Sequence, residues 1–141
     1  MSFAVRLERG PVLLLDGGMG SMLLARGLAA GVAPERWTLE RGAEIVAVHR
    51  AYVDAGSRVI LTNTFQTNRI ALPDADVAAL AKAGAEISRR AAGSAVRVFG
   101  SVGPTNALLM RSDADVGAVR DVFVEVALAL AAGGVDAVVV E

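Results

Sequence analysis

Four short apolar runs, separated by three long stretches of helical periodicity, constrain this chain more than any other feature. The runs are PVLLL before Asp16, SRVIL at 57–61, AVRVFGS at 95–101 and VDAVVV at 135–140. Each is rich in Val, Leu or Ile and is bounded by turn residues, the pattern of strands buried on both faces. Between them, Ile45, Val48, Tyr52 and Ala55 recur at steps of three and four within 40–55, and Gly56 is a C-terminal stop. Val77, Leu80, Gly84 and Ile87 repeat the pattern after Asp74 and Asp76, which can cap that helix, and it stops near Gly93. Val116, Val119, Phe123, Val126 and Leu130 repeat it again after Ser112 or Asp113, with Gly133 and Gly134 as terminators. A further helix is expected at 19–26, and 28–38, which holds Gly31, Pro34 and Trp37, reads as a loop. Strand and helix in strict alternation predict a parallel sheet with crossover helices.

The strand starts fall about forty residues apart, longer than the ~30 per unit of a typical (β/α)8 barrel. A doubly wound sheet would use the same alternation, but it calls for a phosphate loop. DGGMGS is not GxGxxG, and no GxxxxGK[ST] is present, so a nucleotide site has little support. With 54% hydrophobic residues and only 4% aromatic, the 141-residue chain has the profile of helices on a buried sheet and the length of one domain. Fourteen basic residues nearly balance fifteen acidic ones, which disfavours nucleic acid and anionic membrane as partners. No stretch reads as a signal peptide or a bilayer span, and cytoplasmic residence is the expectation. The absence of cysteine excludes disulfides, thiolate metal ligands and a cysteine nucleophile from these residues.

In a parallel sheet all strand exits lie on one side, where barrel enzymes place their sites. The exits here carry Asp16, then Thr62–Asn63–Thr64, then Ser101 with Thr105 beyond, then Glu141. Gly17 and Gly18 follow Asp16 and allow a close backbone approach to a ligand. A carboxylate beside free amides suits a zwitterion such as an amino acid, although Asp16 could equally cap the following helix. His49, the only histidine, lies beside an apolar helix face and reads as a packed residue rather than a base or ligand. Met19 and Met22 read as core filling, Trp37 equally as a donor or partner contact or as a loop anchor, and Arg50, Arg89 and Arg90 as solvated helix faces.

The segments LLLDGGMGSML (13–23), AYVDAGSRVILTNTF (51–65), FGSVGPT (99–105) and VVVE (138–141) closely resemble the N-terminal half of the homocysteine S-methyltransferase family. That family includes betaine- and S-methylmethionine-dependent enzymes and the homocysteine module of cobalamin-dependent methionine synthase. The resemblance implies the N-terminal half of a (β/α)8 TIM barrel, its first four strands over residues 1–141, in an enzyme that methylates homocysteine to methionine. It implies that Asp16, Gly17 and Gly18 hold the amino-acid end of homocysteine and that Glu141 pairs with its ammonium. It also implies that Thr62, Asn63, Thr64 and Phe65 line the pocket near a small methyl donor. In such enzymes a zinc ion held by three cysteines from later strands makes the substrate thiolate. Those ligands have no counterpart here, so no catalytic or metal-ligating residue is assigned.

Three arrangements of the half-barrel are then open: part of a longer or truncated polypeptide, a homodimer through the open sheet edges, or an independent α/β domain. A non-catalytic amino-acid-binding or self-assembling module is the alternative function. A Schiff-base barrel enzyme is disfavoured, because Lys82, the only lysine, lies on a helix.

Overall fold

The computed structural model describes residues 12–105 and 115–141. The expectations at Pro11, Ser112 and Asp113 lie outside them. Three parallel strands form the sheet in the order β1 (Val59–Leu61), β2 (Arg97–Val102), β3 (Ala137–Val140). Their register pairs Ile60 with Val98, Phe99 with Ala137 and Ser101 with Val139. The first apolar run lies parallel to the free edge of β1 but contributes only a one-residue bridge, Leu15 to Val59. Arg58 N–H donates to Leu14 (2.8 Å) and Asp16 N–H to Val59 (3.0 Å), so the run keeps the direction and place of a first strand. Only Leu15 is paired in this way, so the run forms a bridge rather than a ladder. Neighbours in sequence are therefore neighbours in the sheet, the order expected of consecutive barrel units.

The helices are α1 (Met19–Leu24), α2 (Trp37–Glu40), α3 (Gly42–Asp54), α4 (Val77–Ala92) and α5 (Val116–Ala132). A 3-10 turn at Pro34–Arg36 runs into α2, so half of the expected loop is helical. Pro34 at the first position is pre-set for such a turn, and Trp37, buried against Leu23, Ile45 and Ile87, fixes it. Asp76 caps α4 by accepting from Ala79 N–H (3.0 Å). Asp74 instead pairs with Arg36 (2.8 Å). The cap of α5 is Asp115, which accepts from Ala118 N–H (2.9 Å).

The α4 helix packs between α3 and α5. Val77, Ala81 and Ala85 meet Val126, Leu130 and Val102, while Ile60, Ala92, Val96 and Val98 close the layer between helices and sheet. Leu130 is fully buried, a contribution of about 1.5–3 kcal/mol for a side chain of its size. His49 is fully buried as well, with its Nε2 3.0 Å from Ser88 Oγ. Ser88 already donates its proton to Gly84 O (2.8 Å), so His49 carries its proton on Nε2 and donates it to Ser88. Burial pushes its pKa down to about 4. Its role is packing, as expected.

At the entry end of the sheet Asp136 closes a compact latch. It accepts from Val98 N–H (2.8 Å) and pairs with Arg89 and with Arg97 (2.9 Å). Arg89 also donates to Gly134 O (3.0 Å), so it is engaged rather than part of a solvated face. Burial raises the Asp136 carboxyl, but the bonds from Arg89, Val98 and Arg97 outweigh it and hold the pKa below the usual value.

Candidate functional site

The opposite, exit end of the sheet opens into a cleft of about 530 Å³. Asp16, Gly17, Gly18, Thr62, Asn63, Thr64, Phe65 and Glu141 all line it, together with Ser101 and Glu35. Parallel pairing accounts for this convergence, because Leu15, Leu61, Ser101 and Val140 bring their chain ends out on one side. Thr105 does not line the cleft.

Asp16 is anchored by one oxygen. Its Oδ2 accepts from Leu61 N–H (3.0 Å), across to the end of β1, while Oδ1 is buried without a partner. The helix-cap alternative is therefore overturned. The N-cap of α1 is Gly18, with no side-chain cap bond, and Asp16 points to the neighbouring strand instead. Burial is the main cause that pushes the Asp16 pKa up to about 6; the Leu61 N–H opposes it and the charge of Glu141 adds to it. Both carboxyl groups line the same cleft. Glu141 accepts from Ser101 Oγ (2.6 Å).

The glycines after Asp16 are needed for space rather than for left-handed backbone. Gly18 sits at φ −62° and ψ 111°. A Cβ on Gly17 would lie 3.0 Å from the Tyr52 hydroxyl, which donates to Gly18 O (3.2 Å). Thus α3 props the first turn from beneath.

The Thr62–Phe65 run divides its work. Thr62 Oγ1 accepts from Ser101 N–H (2.9 Å) and meets Thr64 Oγ1, which donates to Ser101 O (2.7 Å). These buried hydroxyls stitch the end of β1 to β2, so their polar groups are already engaged. Asn63 donates to Pro34 O (2.9 Å) and to Thr38 Oγ1 (3.2 Å), fastening the 3-10 turn to the loop. Only Phe65, 40% exposed, presents a side chain freely. Gly103 explains the GPT segment: a Cβ there would fall 2.5 Å from Phe65 O, and its N–H donates to that same oxygen (2.9 Å).

Sequence reasoning missed Glu35. It is 2% exposed, and its Oε1 accepts from Gln66 N–H (2.8 Å) while Oε2 is buried without a partner. The contact spans 31 positions in the chain, and no local pattern announces it. The lining carries three carboxyl groups and no Lys, Arg or His. Among the described residues no cluster of His, Cys, Asp and Glu could hold a metal ion, and no helix is long and apolar enough to cross a membrane.

A sequence model of the homocysteine S-methyltransferase family matches residues 13–141. The chain belongs to the homocysteine S-methyltransferase family. It is 35% identical, over 92% of its length, to methionine synthase of Mycobacterium tuberculosis (strain ATCC 25618 / H37Rv) and 34% identical to that of Mycobacterium leprae (strain TN). It spans 12% of each of those proteins. Among solved structures it is similar to the homocysteine methyltransferase MmuM of Escherichia coli in its metallated form. The TM-score is 0.80 at 26% identity, covering 97% of this chain and 56% of that one. The oxidised form of MmuM gives 0.79 at 27% identity, over 94% of this chain and 53% of that one. The chain thus spans about half of MmuM, and its α/β architecture is similar to the part of that structure it covers.

Proposed function

We propose that this chain supplies the amino-acid grip of a homocysteine S-methyltransferase, residues 1–141 being the first half of its barrel. The observation that carries this reading is the pair Asp16 and Glu141 on one cleft, with Asp16 Oδ1 buried and unpartnered. A buried carboxyl oxygen without a hydrogen bond is costly, and an ammonium with its three N–H donors would satisfy it. Asp16 and Glu141 would take the ammonium of homocysteine. Backbone N–H groups around Gly17 and Gly18 would take its carboxylate, since the lining offers no cationic side chain. The substrate sulfur and the methyl donor would then lie toward Phe65. The family resemblance implies zinc for thiolate formation, but the residues present do not fit a zinc site: cysteine is absent and no alternative ligand cluster exists among the described residues. No step is therefore assigned to a metal on these residues, and methyl transfer is expected only with a continuation that carries the ligands.

Calorimetric titration of the chain with L-homocysteine tests the grip. Binding that is weakened in Asp16→Asn supports it, and unchanged affinity removes Asp16 from the site. Exposed Val138 and Val140 on the β3 edge and Leu14 on the other favour a second reading, in which two copies pair through their sheet edges. Light scattering decides it, a defined dimer supporting the pairing and a monomer ending it.

A further inference from the structure

Arg50 and Arg90 belong to neither the latch nor the cleft. α3 carries Arg50 and α4 carries Arg90 to one groove of about 560 Å³ in the helical layer. Leu39 from α2, Val46 from α3 and Ile87 from α4 give that groove an apolar lining. Leu39 is 60% exposed. Gly42 lets α3 come close to α4, since a Cβ there would lie 3.1 Å from Ile87 Cδ1. Trp37, Ile45, Val48 and Ile87 share one buried cluster, so the three helices that form the walls are fixed to one another.

Charge sets this groove apart. Arg36 faces Asp74, Arg69 faces Glu125, and Arg89 and Arg97 share Asp136. The side chains of Arg50 and Arg90 have no hydrogen bond or ion pair among the described residues. Acids on the same helices are engaged already, Glu44 with Arg41 and Glu86 with Lys82. No described carboxyl group lines the groove. The exit-end cleft is the reverse, with three carboxyl groups and no cation. Two exposed arginines alone would be ordinary solvated surface, but these flank apolar side chains that gain from being covered.

We propose that this groove docks an acidic amphipathic helix of a partner protein. Its apolar side chains rest against Leu39, Val46 and Ile87, and its carboxylates meet Arg50 and Arg90. Guanidinium groups bind carboxylates through paired N–H donors, and a groove between packed helices takes the apolar face of a third. A small inorganic anion would answer the arginines and leave Leu39 in water. The docking is independent of the homocysteine reading.

A fluorescein-labelled peptide of two Leu-Glu-Glu-Leu-Leu-Glu-Glu heptads is the probe, and the same peptide with Gln for every Glu is its control. Anisotropy titrations on the 141-residue chain should show the acidic peptide binding about tenfold tighter than the control. In Arg50→Gln/Arg90→Gln the two peptides should come within about twofold of each other, with the thermal midpoint held. Leu39→Ser should weaken both peptides by about fivefold. A wild-type ratio near unity, or no binding of the acidic peptide, overturns the proposal whether or not the variants fold. A ratio that persists in the double arginine variant also overturns it, because the attraction then lies elsewhere. Binding that Leu39→Ser leaves unchanged and inorganic phosphate displaces overturns it in favour of a simple anion site. Self-association by light scattering that the double variant abolishes overturns it too, giving the groove to a second copy.

Discussion

Two aspartates at opposite ends of the same sheet show how one chemical group can be spent in two ways. Asp136, at the entry end, bridges β2 and β3 and has every demand met by Val98 N–H, Arg89 and Arg97. Asp16, at the exit end, bridges the first run and β1 through Leu61 N–H alone, and its other oxygen is left bare. Their pKa values move in opposite directions accordingly, Asp136 below the ordinary range and Asp16 up to about 6. The completed cluster stabilises; the incomplete one costs stability until a ligand arrives. Barrel folds separate these tasks by end in the same way.

The largest expected effect breaks the completed end. Asp136→Ala leaves Val98 N–H and two guanidinium groups without their acceptor, and it should lower unfolding free energy by about 2–3 kcal/mol in urea titrations. A loss under about 0.5 kcal/mol, the ordinary range of a surface change, would mean the latch is ornamental. At the incomplete end the outcome should invert. Asp16→Asn keeps an acceptor for Leu61 N–H, so stability at neutral pH should hold or rise while homocysteine affinity falls by about 1.5–3 kcal/mol, read by calorimetry.

The smallest effect is in the pH dependence. Asp16 binds protons more tightly folded than unfolded between its ordinary 3.8 and about 6, so its contribution to stability falls as pH rises through that window. His49 acts oppositely: its pKa drops from 6.5 to about 4 on folding, so its contribution rises with pH over nearly the same range. The wild-type profile should therefore be partly cancelled there. Asp16→Asn should climb more steeply from pH 4 to 6, and parallel profiles would show that Asp16 titrates normally. Asp136, with its pKa lowered, contributes stability that is lost only as pH falls below the ordinary carboxylate range.

What could be read from the sequence was whatever depends on neighbours along the chain. The alternation of runs gave the parallel sheet, and Asp76 followed by Val77 gave a true cap because that bond spans three residues. The convergence of Asp16, Thr62 and Glu141 followed from strand direction alone. What stayed hidden depends on distant partners. Arg89 on a polar helix face gives no sign of Asp136, and Glu35 gives none of Gln66. Thr62 and Thr64 stand at a strand exit in the sequence, and nothing there shows that β2 engages their hydroxyls. The first run reads as a full strand in composition, yet its pairing with β1 is a single bridge.

Trp37 has a consequence of its own. It is the only tryptophan in the chain, it follows the turn that carries Glu35 directly, and Arg41 stands 4.1 Å over its ring. The indole is therefore a native fluorophore beside the cleft wall, with a charged neighbour able to tune its emission. A ligand that shifts the turn should change the intensity or colour of that signal, giving a label-free titration from the molecule itself.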